Sequence, residues 1–355
     1  MKNSKRILTL LLALLLVVSV VGCGSKDAET PKDADAKYVL RIGYPNADND
    51  YNQSTYFSRL LKTELEERSE GKIEVQLFPA QQLGSAQEMI NGMIDGSVDA
   101  CVLPHGYYST VCDDVMCLDM AYVYGSGYER QDNCLKALNE NDTIMEKALA
   151  DRGIITAAWL RMPPECIIST KKIEKISDLE NLVLWTSHTP MEVYKCEDLL
   201  GMTIASMTLG DVASGMQNGA LDAVASDYSI MYMQSLYEYA PYILRAPLDK
   251  GMGVASISKI WLDKLPEDLR TMVLDTCQEC AAETSKFIRE EPNPYYEELL
   301  AEGGAEIYDP SDALKAEFEE LLTDAQPQHL LEAFPEAADA FKELYKLIYG
   351  VDYAG

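Results

Sequence analysis

A stretch of this chain is written twice in related form. Residues 85–104 read SAQEMINGMIDGSVDACVLP and residues 208–227 read TLGDVASGMQNGALDAVASD. Laid over each other without a gap, Gly92 meets Gly215, Met93 meets Met216, Gly96 meets Gly219, Asp99 meets Asp222 and Ala100 meets Ala223. Each copy opens on a hydroxyl followed three residues later by an acid, Ser85 with Glu88 and Thr208 with Asp211. That pairing satisfies the free N–H groups at a helix start. A short helix then runs to a glycine, Gly96 or Gly219, suited to the left-handed residue that ends it. A short apolar strand follows, Val98, Ala100 and Val102 in one copy, Leu221, Ala223 and Ala225 in the other.

The flanks repeat as well. A strand (39–44), a helix (53–69) and a strand (72–78) precede the first copy; a strand (182–187), a helix (190–200) and a strand (202–206) precede the second. This is βαβαβ twice, which predicts two similar α/β lobes. Ligands bind beyond the carboxyl ends of the strands in such sheets, so two lobes facing each other across those ends enclose a cleft.

The start of the chain carries a different signal. Lys2, Lys5 and Arg6 precede an apolar run over residues 7–21, which ends in Val20-Val21-Gly22-Cys23. A basic start, a short apolar core and small residues before the cut describe a secretory leader, too short for an ordinary spanning helix. Such a leader is expected to be removed; its ending resembles a bacterial lipobox, which implies the loss of residues 1–22. Residues 24–37 are small, polar and charged without apolar periodicity, a flexible tether reaching roughly 20 Å on average. The rest divides into lobe I (38–158 and 250–290) and lobe II (159–249 and 291–355). Between the repeats the pattern gives a helix over 132–153 and a strand over 154–159. After them come a helical stretch at 228–239, a strand at 254–257 and a long helix from Leu265-Pro266-Glu267-Asp268, with Pro in its first turn and acids at its positive end. Pro292 and Pro294 should kink or end that helix. The tail from Ser311 reads as helical, stopped at Pro327 and Pro335.

Acids outnumber bases 58 to 30, a net charge of −28. Loss of Lys2, Lys5 and Arg6 with the leader takes that to −31. Such a charge argues against nucleic acid or an anionic membrane surface as partner. Glu64, Glu66, Glu67 and Glu70 read as solvated helix faces. Eight cysteines follow Cys23 (Cys101, Cys112, Cys117, Cys134, Cys166, Cys196, Cys277 and Cys280) in no recognisable disulfide framework. Cys277 and Cys280 fall in a helical pattern where both face the core. With three histidines in all and no Cys–His cluster in sequence, neither metal nor cofactor is expected. No activated nucleophile or paired acid and base points to an enzyme.

Taken in order, LRIGYPN, SEGKIEVQLFPAQQLGSAQEMINGMIDGSVD, KISDLENLVLWTS, GDVASGMQNGALDAV and ISKIWLDKLPEDLR resemble the solute-binding subunits of TRAP transporters, the DctP-type family. The Val-Val-Gly-Cys ending resembles a bacterial lipobox. These resemblances imply an α/β, two-lobed fold of the class II periplasmic-binding type with a long shared helix. They imply a lipoprotein, cut before Cys23 and anchored through it at the outer face of the cytoplasmic membrane. The lobes would close over a small solute and hand it to a separate ion-coupled permease. A sensing receptor without transport uses the same fold and stays open, as does a cysteine-based redox or metal-binding lipoprotein.

The departures from the family bear on the ligand. Its usual Gly-Leu-Lys-Ile-Arg-Val is here Asn181-Leu182-Val183-Leu184-Trp185-Thr186, so Trp185 stands where an arginine would fork around a carboxylate. An indole offers one donor and a face for stacking or a cation. The family's asparagine in Asp-Gly-Gln-Glu-Asn-Pro becomes Ser226, followed by Asp227. These departures predict an aromatic, neutral or cationic ligand rather than a simple dicarboxylate. Candidate contacts are Asn46, Ser85, His105, Tyr107, Trp159, Arg161, Trp185, Thr186, Ser226 and Asp227. Each has a plainer role to weigh: Trp159 and Trp185 as core aromatics, Asn46 as a turn residue, Ser85 as a helix cap. Tyr107 and Tyr108 are adjacent, so one of them faces inward. Arg161 could replace the missing fork, which would favour an aromatic acid, or pair with Asp227.

Overall fold

The computed structural model describes residues 37–186, 188–245, 248 and 251–354. The leader, Cys23, most of the tether and Ser187 lie outside them. Lys37–Gly355 form one compact unit. In chain order its strands are β1 (Tyr38–Gly43), β2 (Ile73–Phe78), β3 (Ala100–Pro104), β4 (Ile154–Arg161), β5 (Cys166–Ser169), β6 (Val183–Trp185), β7 (Thr203–Ile204), β8 (Ala223–Ser226), β9 (Tyr242–Leu244), β10 (Met252–Ser258) and β11 (Glu306–Tyr308). The helices are α1 (Gln53–Arg68), α2 (Ala86–Asp95), α3 (Gly127–Asn139), α4 (Ile144–Asp151), α5 (Pro190–Val193), α6 (Val212–Gln217), α7 (Tyr228–Met233), α8 (Lys259–Leu262), α9 (Glu267–Glu290), α10 (Pro292–Glu302), α11 (Asp312–Leu322), α12 (Ala325–Ala333) and α13 (Ala338–Tyr349).

Two sheets result, in the orders β2-β1-β3-β10-β4 and β11-β9-β5-β8-β6-β7. All strands of the first run parallel except β10, and all of the second except β5. Each odd strand has a topological cause. The chain leaves the carboxyl end of β4 and enters the second sheet backwards as β5; it leaves the carboxyl end of β9 and returns backwards as β10. Both crossings therefore join the carboxyl ends of the parallel strands, and the expected two-lobed α/β architecture follows.

The matched glycines of the repeat have matched reasons. Gly96 and Gly219 sit at φ +83° and +75°, where a β-carbon is strained. A β-carbon on Gly92 would lie 2.6 Å from Val98, and one on Gly215 would lie 3.0 Å from Leu221. Each helix thus packs directly on the apolar residue two positions before the following strand. The helix starts diverge. Ser85 and Glu88 form the full reciprocal cap on α2. Thr208 instead donates to Asp211 Oδ2 at 2.6 Å, and a 3₁₀ turn over Leu209–Asp211 leads into α6.

Each sheet is covered on both faces, as strands in mostly parallel sheets are. On lobe I, Leu40, Ile42 and Val102 face α1 and α9 through Phe57, Leu61, Val273 and Cys277. The opposite face puts Cys101, Leu103 and Trp159 against α2, α3, α4 and α13. On lobe II, Ile167, Leu184 and Ala225 pack with Phe318 and Leu322 of α11, and Ile168, Val224 and Ile243 pack with α6, α7 and α10. Each fully buried side chain of this kind contributes about 1.5–3 kcal/mol.

Four expectations need correction. Residues 132–153 are two helices, because Thr143 and Glu146 form a second reciprocal cap that starts α4 anew. Residues 159–161 belong to lobe I, as the end of β4. Pro327 lies in the first turn of α12, where its missing N–H costs nothing, so it opens a helix rather than stopping one. Finally, only α11 of the tail belongs to lobe II. Leu330 of α12, Ala337 of the 3₁₀ turn that follows, and Phe341 and Leu344 of α13 join the lobe I core, and Glu343 accepts the backbone N–H of Ile144 at 2.6 Å. The kink after α9 falls at Glu291, as the prolines predict.

Candidate functional site

The carboxyl ends of the parallel strands bring most of the candidates to one side of each lobe. On lobe I these ends carry Asn46 after β1, His105 and Tyr107 after β3, and Arg161 closing β4. On lobe II they carry Trp185 and Thr186 at the end of β6, and Ser226 and Asp227 at the end of β8.

Their chemistry is more local than the sequence suggests. Asn46 is half-buried, and its carbonyl accepts the Ala80 N–H at 2.8 Å. Ser85 is occupied as the cap of α2. Of the adjacent tyrosines, Tyr108 enters the lobe I core and bonds to Ser256, leaving Tyr107 exposed on a 3₁₀ turn. Trp159 is not at the cleft. It is completely buried in lobe I, and its indole N–H donates to Glu146 Oε1 at 2.7 Å. Arg161 does not present a free fork either. Nη1 donates to Gln131 Oε1 at 2.6 Å, Nη2 to Asp132, and the guanidinium lies over the Tyr128 ring. Its partner is therefore Asp132 rather than Asp227.

On lobe II, Trp185 is half-buried and spends its single N–H on the Met207 carbonyl at 3.0 Å. Ser226 is half-buried at the carboxyl end of β8, opposite Cys166. Asp227 caps α7, with Oδ1 accepting from Ser229 N at 2.9 Å, Ile230 N at 3.2 Å and the Ser229 hydroxyl. Burial pushes its carboxyl above the usual range, against the pull of those hydrogen bonds. A carboxyl raised in the folded chain stabilises the fold below its unfolded pKa of about 3.9. That contribution is lost as pH rises through the folded value. Asp227→Asn keeps a capping oxygen, so it should be more stable than the parent at pH 7 and no more stable at pH 3. Urea unfolding at both pH values checks this; a less stable variant at pH 7 would refute it.

His105 and several residues that sequence reasoning passed over complete the picture. The His105 ring lies between the Met252 carbonyl, 3.2 Å from Nδ1, and Asp119 Oδ1, 2.9 Å from Nε2. Burial opposes ionisation of Asp119, yet His105, the Thr189 hydroxyl and Lys195 together hold its carboxyl below the usual range. Thr189, the cap of α5 in lobe II, abuts Gly106 of lobe I so closely that a β-carbon there would lie 3.0 Å from its methyl. Behind it, α5 continues as a π-helical turn over Tyr194–Leu199, a form common at functional sites. This turn buries Lys195 against Glu192 at 2.8 Å, and Thr186 Oγ1 donates to the same carboxylate at 3.4 Å. Thr189-Pro190 is a readable helix start, whereas Glu192 and Lys195 look in sequence like an ordinary solvated pair.

Among the described residues one buried cation lacks a counter-charge. Arg130 is completely buried and donates to the carbonyls of Met120 and Leu118, and its Nη1 has no acceptor. Among the described residues no carboxylate pairs with it. A β-carbon on Gly251, the residue before β10, would lie 3.1 Å from that nitrogen, so the charge sits beside the second crossing.

The cysteines give redox chemistry little basis. All eight described ones are buried, and none forms a disulfide. Burial pushes Cys101, Cys112 and Cys280 up to about 12 and Cys277 further, so thiolate is scarce. Among the described residues no acidic, histidine or cysteine group could hold a metal ion, and no helix is long and apolar enough to cross a membrane.

Residues 46–331 match the family described as bacterial extracellular solute-binding protein, family 7 (DctP). Among curated proteins the chain is similar to the 2,3-diketo-L-gulonate-binding periplasmic protein YiaO of Escherichia coli, 20% identical over 308 residues that span 86% of this chain and 91% of that one. Among solved structures it resembles a TRAP periplasmic solute-binding protein of Haemophilus influenzae with bound L-gulonate, at a TM-score of 0.76 and 20% identity, covering 88% of this chain and 100% of that one. A TRAP periplasmic solute-binding protein of Sulfitobacter sp. NAS-14.1 with bound β-D-galacturonate gives a TM-score of 0.75 and 17% identity over 88% and 100% of the two chains.

Proposed function

The chain belongs to the DctP family of bacterial extracellular solute-binding proteins, family 7, and from that premise we propose that it captures a small organic acid between its lobes and delivers it to a TRAP-type permease. The observation that carries this reading is the pair of antiparallel strands, β5 and β10, which set the carboxyl ends of two parallel sheets against each other across two crossings. That geometry opens and closes a cleft by small rotations at the crossings.

The acid replaces the aromatic, neutral or cationic ligand that the sequence suggests. Both motives for the latter are absorbed within lobe II, where Trp185 is bonded to Met207 and Asp227 caps α7. The unneutralised Arg130 favours a negative solute, because a buried charge is costly until something opposes it. The three similar proteins are named for, or hold, sugar acids. Lipid attachment at Cys23 belongs to the same proposal. Radiolabelled palmitate incorporation in a bacterial host, lost in Cys23→Ser, tests that part.

A thermal-shift panel on the Lys37–Gly355 unit tests the ligand. L-gulonate, D-galacturonate, D-glucuronate and L-malate form one arm, tryptamine and tyramine the other. A ligand that binds only the folded state stabilises by about 4 kcal/mol at a thousandfold excess over Kd. A shift with an acid and none with the amines is expected. The reverse would restore the aromatic cation and discard the acid.

A further inference from the structure

We propose that the solute carries a single carboxylate and a hydroxylated far end, that it lies with the carboxylate toward lobe I, and that Asp227 on lobe II excludes acids with a second carboxylate. This deepens the reading of the chain as an acid receptor and rests on it. Asp227 then sets specificity by repulsion.

The two lobes present opposite charge at their strand ends. On lobe I, β4 closes on Arg161, which pairs in register with Met252 of β10. Gln131 ties that arginine to the start of β10: Oε1 accepts from Arg161 Nη1 at 2.6 Å, and Nε2 donates to the Gly251 carbonyl at 3.1 Å. Arg130 reaches the same glycine, where a β-carbon would lie 3.1 Å from its Nη1. Among the described residues Asp132 is the carboxylate bonded at this corner, and Arg161 shares it with Arg289. Two guanidinium nitrogens stay buried without an acceptor, Nη1 of Arg130 and Nε of Arg161. Cationic N–H groups left in that state are costly, and a negative charge nearby offsets the cost.

Lobe II is the reverse. Among the described residues at the ends of β6 and β8, Trp185, Thr186, Ser226 and Asp227, there is no cation. Arg245, which follows β9, is matched by Glu297 at 2.5 Å and Asp309 at 3.2 Å. The donors to Asp227 from Ser229 and Ile230 all fall on Oδ1. Capping α7 therefore occupies one oxygen and leaves Oδ2 for another group. α7 runs to Met233, whose sulfur lies 3.7 Å from Asn49 Nδ2 of lobe I, so this edge of lobe II looks toward the other lobe. A solute hydroxyl can donate to Oδ2. A carboxylate has no hydrogen to give and meets a like charge instead.

Two pairs of acids isolate the effect, because the members of each differ only at the end turned to lobe II. D-glucarate is L-gulonate with its terminal hydroxymethyl oxidised to a carboxylate, and galactarate is D-galacturonate with its aldehyde carbon oxidised. All four are titrated calorimetrically into the Lys37–Gly355 unit and into its Asp227→Asn variant, with far-ultraviolet circular dichroism confirming that both are folded. The parent should bind the monocarboxylate of at least one pair about tenfold more tightly than its dicarboxylate, the least that juxtaposed like charges should cost. Asp227→Asn keeps a capping oxygen but no charge and should bring that ratio within about threefold. A parent that binds the dicarboxylate as tightly or more tightly overturns the exclusion, as does a variant that keeps the parent's ratio. Failure of all four acids to bind is a different result: it sinks the proposed function and takes this inference with it.

Discussion

Lys195→Met should lower the unfolding free energy by about 3–5 kcal/mol, the usual cost of stranding one member of a buried ion pair. Lys195 and Glu192 are both completely buried, 2.8 Å apart, and Lys195 also donates to the Leu248 carbonyl at 3.1 Å. Glu192 Oε1 takes the Thr186 hydroxyl and the Cys196 thiol, so the carboxylate stays ordered when its cation is gone. The double variant Lys195→Met with Glu192→Gln removes both charges and should recover a large part of the loss. Urea unfolding of the parent, single and double variants measures the coupling directly. A single variant within 1 kcal/mol of the parent would mean that water or a neighbouring charge replaces Lys195, and that the π-helical turn does not depend on this pair.

Trp159→Ala carries an effect of similar size for a different reason. The side chain is completely enclosed by the lobe I core, and large-to-small changes of an aromatic at such a site cost about 3–5 kcal/mol. It also removes the donor to Glu146, whose carboxyl is already pushed up by burial. Trp159→Phe should retain most of the stability. Because the ring lies inside lobe I rather than at the cleft, solute affinity of the folded fraction should stay within about twofold of the parent. Denaturant unfolding paired with calorimetric titration separates the two readouts. A stable Trp159→Ala that no longer binds would return Trp159 to the site.

The repeat made the architecture legible because its physical causes are local. A left-handed glycine at Gly96 and Gly219, and a glycine too close to the next strand at Gly92 and Gly215, leave a mark whatever surrounds them. The prolines after α9 mark the kink at Glu291 in the same way. The tail was less legible. Its helices show an apolar face, but nothing local says that Phe318 packs on lobe II while Phe341 packs on lobe I. Trp159 and Arg161 were misplaced for a related reason. β4 is covered on both faces, so burial does not alternate along it and the strand end cannot be read from pattern.

The site was the least legible part, because sequence shows donors and acceptors but not which of them are already spent. Trp185 has one N–H and Asp227 two oxygens. Whether they face a ligand depended on Met207 lying beside the first and Ser229 beside the second. Arg130 carried no signal at all in its helix. Its meaning comes from burial without a carboxylate, which only the packed structure displays.

The central claim is that the two lobes close around one small acid. Calorimetric titration of L-gulonate and D-galacturonate into the Lys37–Gly355 unit, repeated at several temperatures, tests it most directly. The account predicts saturable binding of at least one of these acids, one molecule per chain, with a negative heat-capacity change from the apolar surface buried on closure. Absence of heat with both acids, alongside saturable binding of an aromatic amine, would contradict it.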